Sequence, residues 1–557
     1  MFRLALVTMF TALAVFPAQG QLLGEQLDER IRMRIEAAGV PPRIEVNGER
    51  VHASRVLPVF YERRGFRPAW SGEAGPGPRA EAMVAAIRGI SGDGLNPSDY
   101  HLAGIVQVLE EVKANRDAGK PFSLGRLADL DLLLTDAFLV CGSHLLSGRL
   151  DPETVDPQWH ASRREGDLAD VLENALEGTG IEAALDGLRP AHDGYGCMRQ
   201  ALTRYRALHA AGGWAPVPGG EKLEAGAAGE RVRLLSTRLA ASGDLDAGSA
   251  GGEVFDDILS EAVRRFQRRH GLAADGVVGP KSIEALNVPL EQRIWQLVSN
   301  LERWRWLPQD RSRRHILVNI ANFELDVVED NRSVLNMRAI VGRPFRRTPV
   351  FSSLMTYLVF NPTWNVPQKL AVQDKLPEMR KDPTYFARMG IKVFQGWGAD
   401  AREIDPAGVD WKALDRGRFP YRLRQEPGPL NALGQVKFMF PNKYNVYIHD
   451  TPSRELFSQP QRDFSSGCIR TEKPLELAVY LLAEDPAWDR GRIAAAVASG
   501  REQTVTLPRP IPVHLLYWTA WAEENGEIQF RRDIYDRDGA LNEAMAEPPV
   551  IAAGAGR

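Results

Sequence analysis

The chain is short of cysteine. Only Cys141, Cys197 and Cys468 occur in 557 residues, too few for the disulfide framework of a small secreted fold, and at least one must stay unpaired within a monomer. A charge excess is lacking too, with 69 lysines and arginines against 72 aspartates and glutamates. That balance argues against a nucleic-acid binder working through bulk positive charge, and no nucleic-acid partner is expected. Glycine (50) and proline (37) are too few for a collagen-like or wholly disordered chain. No S-x-x-K tetrad is present, which removes the penicillin-type serine enzymes. The ten histidines are scattered, with no H-E-x-x-H and no C-x-x-C, so neither a metal site nor a cofactor is expected. What is present is length and 44% hydrophobic composition, material for three or four ordinary domains.

The N-terminus reads as an export signal. Arg3 is followed by an uncharged stretch from Leu4 to Phe16, then by small residues at Ala18 and Gly20. These are the parts of a signal peptide over residues 1–20, cleaved after Gly20. The apolar stretch falls short of the roughly 20 residues that span a bilayer. No later run is continuously apolar for that length, so no stable transmembrane segment is expected after cleavage. The compartment implied is oxidising, and a free thiol there calls for a reason.

From residue 21 to about 225 the spacing is mostly helical, as in Leu127 to Leu150 and Leu168 to Leu188. This reads as a helical scaffold without chemistry of its own. A small-residue stretch from Gly212 to Gly229 looks like a linker. A compact helical unit follows over 230–288, with Ile258, Ala262 and Phe266 on one helix face and Leu259 and Val263 beside it. A tryptophan-rich connecting helix covers 289–310.

Beyond it the apolar period falls to two. Ile316, Val318 and Ile320 alternate, then Phe323, Leu325 and Val327, with a turn at Asp330-Asn331. Further strands are expected at Leu354 to Phe360, Val436 to Phe440, Asn445 to His449 and Val513 to Trp521, the last leading into a turn at Asn525-Gly526. The sheet domain would run over 311–545, and 368–429 is too long for a connection, so it reads as an inserted capping lobe. Residues 546–557 read as a loose tail. The fold class is therefore multidomain α+β, a helical scaffold and small helical module ahead of a mainly-β domain with an inserted lobe.

The chemistry converges on the third cysteine. Fifteen residues separate His449 from Ser465-Ser466-Gly467-Cys468-Ile469-Arg470, and Thr471-Glu472-Lys473-Pro474 opens an apolar-periodic helix. A helix start just downstream and Arg470 two positions away would both lower the thiol's pKa. Tyr447 and His449 are two apart on a strand and share a face. Thiolate attack on a carbonyl follows, with His449 taking the proton and returning it. Backbone N–H groups at Gly467 and Cys468 would hold the oxyanion.

This segment resembles the YkuD-type L,D-transpeptidase motif through His449, Ser465, Gly467, Cys468 and Arg470. Ser466 stands where many members have histidine, which resembles the large Gram-negative periplasmic branch, often called YcbB-type. Thr348-Pro349, Asn361-Pro362, Trp364-Asn365-Val366-Pro367 and Phe440-Pro441-Asn442 are similar to elements of that branch's catalytic domain, and the insertion is similar to its capping subdomain. Phe66 to Trp70, Asp93-Gly94-Leu95 and Leu146 to Arg149 resemble its helical scaffold. Ala262-Val263, Phe266-Gln267, Gly271-Leu272, Asp275-Gly276 and Ala285-Leu286 resemble the helical peptidoglycan-binding domain.

The resemblance implies a periplasmic enzyme that acylates Cys468 on a tetrapeptide stem, expels D-alanine and joins third residues of two stems. Arg470, Tyr447, Ser465, Ser466 and Trp364 would meet substrate. Partners would be peptidoglycan stem peptides and glycan, with cell-wall synthesis proteins as a further class. The rival readings are a non-catalytic wall-binding scaffold with an inert Cys468, and an L,D-carboxypeptidase or lipoprotein-attaching variant of the same chemistry.

Overall fold

Among the described residues helices dominate from Ala18 to Arg305, with two pairs of two-residue strands between them, and long strands begin at Arg314. The computed structural model describes residues 18–39, 43–72, 75–121, 123–159, 163–307, 313–523 and 525–547, with side chains from Glu25 onward. Residues 1–17 of the expected signal peptide and 548–557 of the expected tail lie outside the described residues.

The scaffold is organised around the helix Leu124–Ser147, whose residues are buried continuously from Leu127 to its end. By length and composition alone it could cross a membrane, yet it lies wholly inside the protein. Its carboxylates show why. Asp131 accepts from Ala69 N at 2.8 Å, Trp70 N at 3.0 Å and Tyr61 Oη at 2.6 Å. Asp136 accepts from His52 N at 3.0 Å and Ala53 N at 2.6 Å. Buried carboxylates that satisfy the backbone of neighbouring segments fit the centre of a packed domain.

The module has its own core, containing Leu235, Leu239, Phe255, Val263 and Phe266. The helix Asp257–Arg269 buries Leu259, Ala262, Val263 and Phe266, but Ile258 is 62% exposed. The face expected from the sequence is therefore rotated by one residue. Asp256 caps the helix through Leu259 N at 2.8 Å, and the i, i+3, i+4, i+7 set counted from Leu259 then points inward. The small-residue stretch is not a free linker either. Val217 and Leu223 join the module's core, and Leu223 forms a bridge with Val278.

The strands close into a barrel. In chain order they are β1 (Arg314–Asn319), β2 (Glu324–Glu329), β3 (Arg332–Ile340), β4 (Phe351–Phe360), β5 (Val436–Met439), β6 (Ile448–His449), β7 (Ile469–Thr471) and β8 (Gln503–Leu516). Around the barrel the order is β5-β6-β7-β3-β2-β1-β8-β4, and β4 returns to β5. Closure leaves no unpaired edge. The alternating residues Ile316, Val318, Leu325, Val327, Val513 and Leu515 are fully buried.

Two expected strands are cut short, one at its start and one at its end, for one reason: asparagine side chains capture backbone donors that a ladder would need. Asn442 Oδ1 takes Tyr444 N at 3.0 Å and Val446 N at 3.2 Å, so β6 is confined to Ile448–His449. Asn319 Oδ1 takes Trp518 N at 3.1 Å and Asn300 Oδ1 takes Thr519 N at 3.0 Å. The C-terminal strand therefore stops at Leu516 and resumes as Ala520–Ala522, paired with Ile528–Phe530.

The segment between β4 and β5 folds on its own core of Leu376, Phe386, Val393, Trp411 and Leu423. It carries a four-stranded sheet, Arg402–Ile404 beside Ile391–Gln395, then Tyr421–Gln425, then Trp364–Asn365.

Candidate active site

Three strands place the reactive side chains. β5 is antiparallel to β6 with Lys437 opposite His449, and β7 is parallel to β6 with His449 opposite Arg470. Residues in register share a face, so Lys437, His449 and Arg470 stand in one row across the barrel wall. Tyr447, two residues before His449, adds to that face, with the two rings 5.5 Å apart. Ile469 N donates to the Tyr447 carbonyl at 3.1 Å, which sets Cys468 beside Tyr447.

His449 is 5% exposed, and its Nδ1 lies 2.5 Å from the Asp450 backbone oxygen. A carbonyl can only accept, so the proton sits on Nδ1 and Nε2 keeps its lone pair. Burial, then the charge of Arg470 and more weakly that of Lys437, pushes the imidazole down to about 3. It is therefore neutral at any physiological pH and available as a base.

The thiol does not behave as the sequence suggests. Burial raises its pKa, and the Tyr447 N–H, the Tyr447 hydroxyl, Lys437 and Arg470 oppose that rise only in part. The helix expected just beyond Cys468 does not open until Pro474, because Ile469–Thr471 form β7. Helix-dipole effects fade within the first turn, so they do not reach the sulfur. The resting pair is a thiol and a neutral imidazole, and thiolate forms as the attack occurs.

Gly467 makes the nucleophile turn. Its φ is +115°, a conformation side chains resist. Ser465 Oγ donates to the Cys468 carbonyl at 2.5 Å and accepts from Gly467 N at 3.1 Å, so the Gly467 amide expected at an oxyanion is spent within the turn. Thr348 Oγ1 donates to the Gly467 carbonyl at 3.0 Å, and Tyr535 Oη accepts from Thr348 N at 3.1 Å. Neither Tyr535 nor Lys437 belongs to a recognisable sequence motif. Only strand pairing and the C-terminal return of the chain bring them here.

Trp364 stands on the lobe's sheet, and Tyr447 packs against the core to which Trp364 belongs. Lys437 Nζ lies 4.0 Å from the centre of the Tyr447 ring. The buried Nε of Arg470 has no hydrogen-bond partner among the described residues, which leaves a donor over for an anionic group. Ser466 is exposed and accepts from Arg346 Nη1 at 2.9 Å. Arg346 also grips Asp374 of the inserted lobe through both nitrogens, at 2.6 and 2.7 Å. The lobe is thus tied to the residue two before the nucleophile. Among the described residues no group of three or more His, Cys, Asp or Glu side chains could hold a metal, and Cys141 and Cys197 are both free thiols.

Because the Lys437 cation opposes the rise in the thiol's pKa, Lys437→Met should raise it further. Alkylation of Cys468 by iodoacetamide, followed against pH, is expected to shift its midpoint upward, and Lys437→Arg should restore it. An unmoved midpoint in Lys437→Met contradicts the electrostatic role.

Residues 313–488 match the model of the L,D-transpeptidase catalytic domain, 55–202 that of the Scaffold domain and 228–286 that of the "Putative peptidoglycan binding domain". A Haemophilus influenzae protein named "Putative L,D-transpeptidase" is 39% identical over 247 residues, covering 44% of this chain and 49% of that protein. The chain thus spans about half the length of the curated relative it matches. A crystal structure of an L,D-transpeptidase from Xylanimonas cellulosilytica aligns at 15% identity over 54% of this chain and 99% of that one, with a TM-score of 0.16. A fused Zn-dependent amidase/peptidase/peptidoglycan-binding domain-containing protein from Clostridium acetobutylicum aligns at 12% identity over 54% and 100%, with a TM-score of 0.14. At such TM-scores neither structure bears on the arrangement described above.

Proposed function

We propose, from the match of residues 313–488 to the L,D-transpeptidase catalytic-domain model, that this chain is an exported cell-wall transpeptidase acting on peptidoglycan in the periplasm. The observation that carries the reading is the contact of His449 Nδ1 with the Asp450 carbonyl, on the strand paired with the one that follows Cys468; it leaves Nε2 as the nitrogen to take a proton.

The thiol attacks the carbonyl of the third residue of a tetrapeptide stem as Nε2 takes its proton, and the S–C bond forms. Tyr447, between the sulfur and Trp364, and the cations Lys437 and Arg470 face the negative charge that builds. The C–N bond to D-alanine breaks when His449 returns the proton to the departing amine. A thioester remains. The side-chain amine of a diaminopimelate on a second stem then attacks it, giving its proton to Nε2, and the C–S bond breaks with Cys468 reprotonated. Third residues of two stems are joined.

Digesting purified sacculi incubated with the protein, followed by muropeptide mass analysis, tests this directly. Dimers linked between third residues are expected to accumulate. Tripeptide stems alone would show the thioester going to water, and unchanged sacculi would contradict transfer altogether.

The lobe's latch sets that partition. The paired contact between Arg346 and Asp374 is half-screened by solvent and worth about 1 kcal/mol. Asp374→Ala should loosen the cover over the acyl-enzyme and admit water. The ratio of hydrolysis to transfer, read from the same muropeptides, is expected to rise about fivefold. An unchanged ratio would show that the lobe does not gate water.

A further inference from the structure

A cavity of about 930 Å³ lies between the helical module and the barrel. Module residues from Gln267 to Val288, with Arg293 of the following helix Leu290–Arg305, form one wall. The other is built from Phe323 and Glu324, from Phe530 to Arg532, and from residues 458–462. Neither His449 nor Cys468 lines it, but the last of these segments is part of the chain that connects them. Val341 N donates to the Arg462 carbonyl at 2.9 Å, and Ser465 N donates to the Val341 carbonyl at 2.8 Å. One residue at the end of β3 therefore links this wall to the nucleophile turn.

Three arginines in the lining are held by neutral partners. Arg462 donates to the carbonyls of Phe323 at 2.8 Å, Gln459 at 2.9 Å and Ala339 at 3.2 Å. Arg293 donates to the Ala285 carbonyl at 3.2 Å and to Gln296 Oε1 at 2.8 Å. Arg531 donates from Nε to Asn322 Oδ1 at 2.6 Å and from Nη1 to the Arg269 and Phe530 carbonyls at 2.8 Å each, leaving Nη2 over.

Arg293 and Arg462 are 6% and 7% exposed. Buried charges are ordinarily paired, because removing them from water is costly. The acid closest in influence is Glu324, whose charge acts on both Arg462 and Arg531. It is one carboxylate, and burial pushes its pKa up. On the rim Lys281, Arg268 and Arg532 outnumber Asp275 and Glu284. Leu272, Pro280 and Pro460 add accessible apolar surface beside these charges.

We propose that this cleft is a second peptidoglycan site, separate from the Cys468 centre, which takes a carboxylate-bearing muropeptide. Its carboxylates would meet Arg462, Arg531 and Arg293, and its sugar or methyl faces would rest on Leu272, Pro280 and Pro460. The cleft's preference for an anion stands on the arginines. The ligand's identity rests on the transpeptidase reading and on the match of residues 228–286 to a peptidoglycan-binding domain.

The test is calorimetric titration of a disaccharide-tetrapeptide into the full-length Cys468→Ala chain. The same ligand with amidated carboxyls forms the second arm. Ala273 is exposed and lines the cleft, so Ala273→Trp fills it without disturbing a core. Two classes of site are expected in Cys468→Ala, with Ala273→Trp removing one of them at an unchanged melting temperature. Amidation should weaken that class about tenfold. No binding, an isotherm unaltered by Ala273→Trp, or equal affinity for free and amidated ligand overturns the proposal.

Carbapenem acylation of the chain with Cys468 intact separates the two readings. An acylated Cys468 with muropeptide binding indifferent to Ala273→Trp ends the cleft proposal alone. A Cys468 that no carbapenem acylates ends the transpeptidase reading, and the anion preference of the cleft is still judged by the titration.

Discussion

Replacing Cys468 with serine is expected to cut transfer by about 10⁴-fold or more, measured as D-alanine released from a disaccharide-tetrapeptide. The substitution keeps the turn, since Gly467 retains its φ of +115° and Ser465 its bond to the carbonyl of residue 468. It changes only the acidity and softness of the nucleophile. Burial already raises the thiol's pKa, and a hydroxyl ionises far less readily again. His449 Nε2 would then have to take its proton from a far weaker acid. The Cys468→Ser variant should therefore neither release D-alanine nor form an ester. If it kept more than a few per cent of the activity, the nucleophile would have to be sought elsewhere.

His449→Gln should lower the acylation rate by about 10²- to 10⁴-fold. Glutamine can still donate to the Asp450 carbonyl that now holds Nδ1 at 2.5 Å, so the local fold has a way to persist. What it lacks is a site to take the proton. The pH profile carries the sharper signature. With His449 neutral well below physiological pH, the wild type has its base ready throughout the neutral range. In His449→Gln only pre-formed thiolate reacts, so the rate should climb with pH until it passes the raised pKa of Cys468. A neutral-pH plateau surviving in the variant would mean that His449 is not the base.

Much of this arrangement is legible in the sequence because its signals are local. The change of apolar period after the tryptophan-rich helix marks the start of the barrel, and the alternating residues from Ile316 to Val327 read as strand leading to a turn at Asp330-Asn331. Both turn residues have positive φ, as a tight hairpin needs. Cys468, His449, Gly467 and Arg470 follow from a spacing, and β6 with β7 brings them together. Tyr447 packs against the lobe's core, to which Trp364 belongs.

What the sequence hides is non-local. Lys437 joins the row only through the β5–β6 register, and Tyr535 reaches Thr348 from the far end of the chain. The short β7 strand separates Cys468 from the helix expected to acidify it, and burial then dominates the thiol. Ile258 faces outward, against expectation, because the helix period fixes the spacing of a buried stripe but not its starting residue. Packing of Leu259, Ala262, Val263 and Phe266 into the module's core decides that.

The claim that Cys468 is an acylating nucleophile is tested most directly by intact-mass analysis after incubation with a carbapenem. A single adduct of the drug's mass is expected on the wild type, mapping to the peptide that contains Cys468 and absent from Cys468→Ala. An unmodified wild-type chain, or an equal adduct on Cys468→Ala, would contradict it.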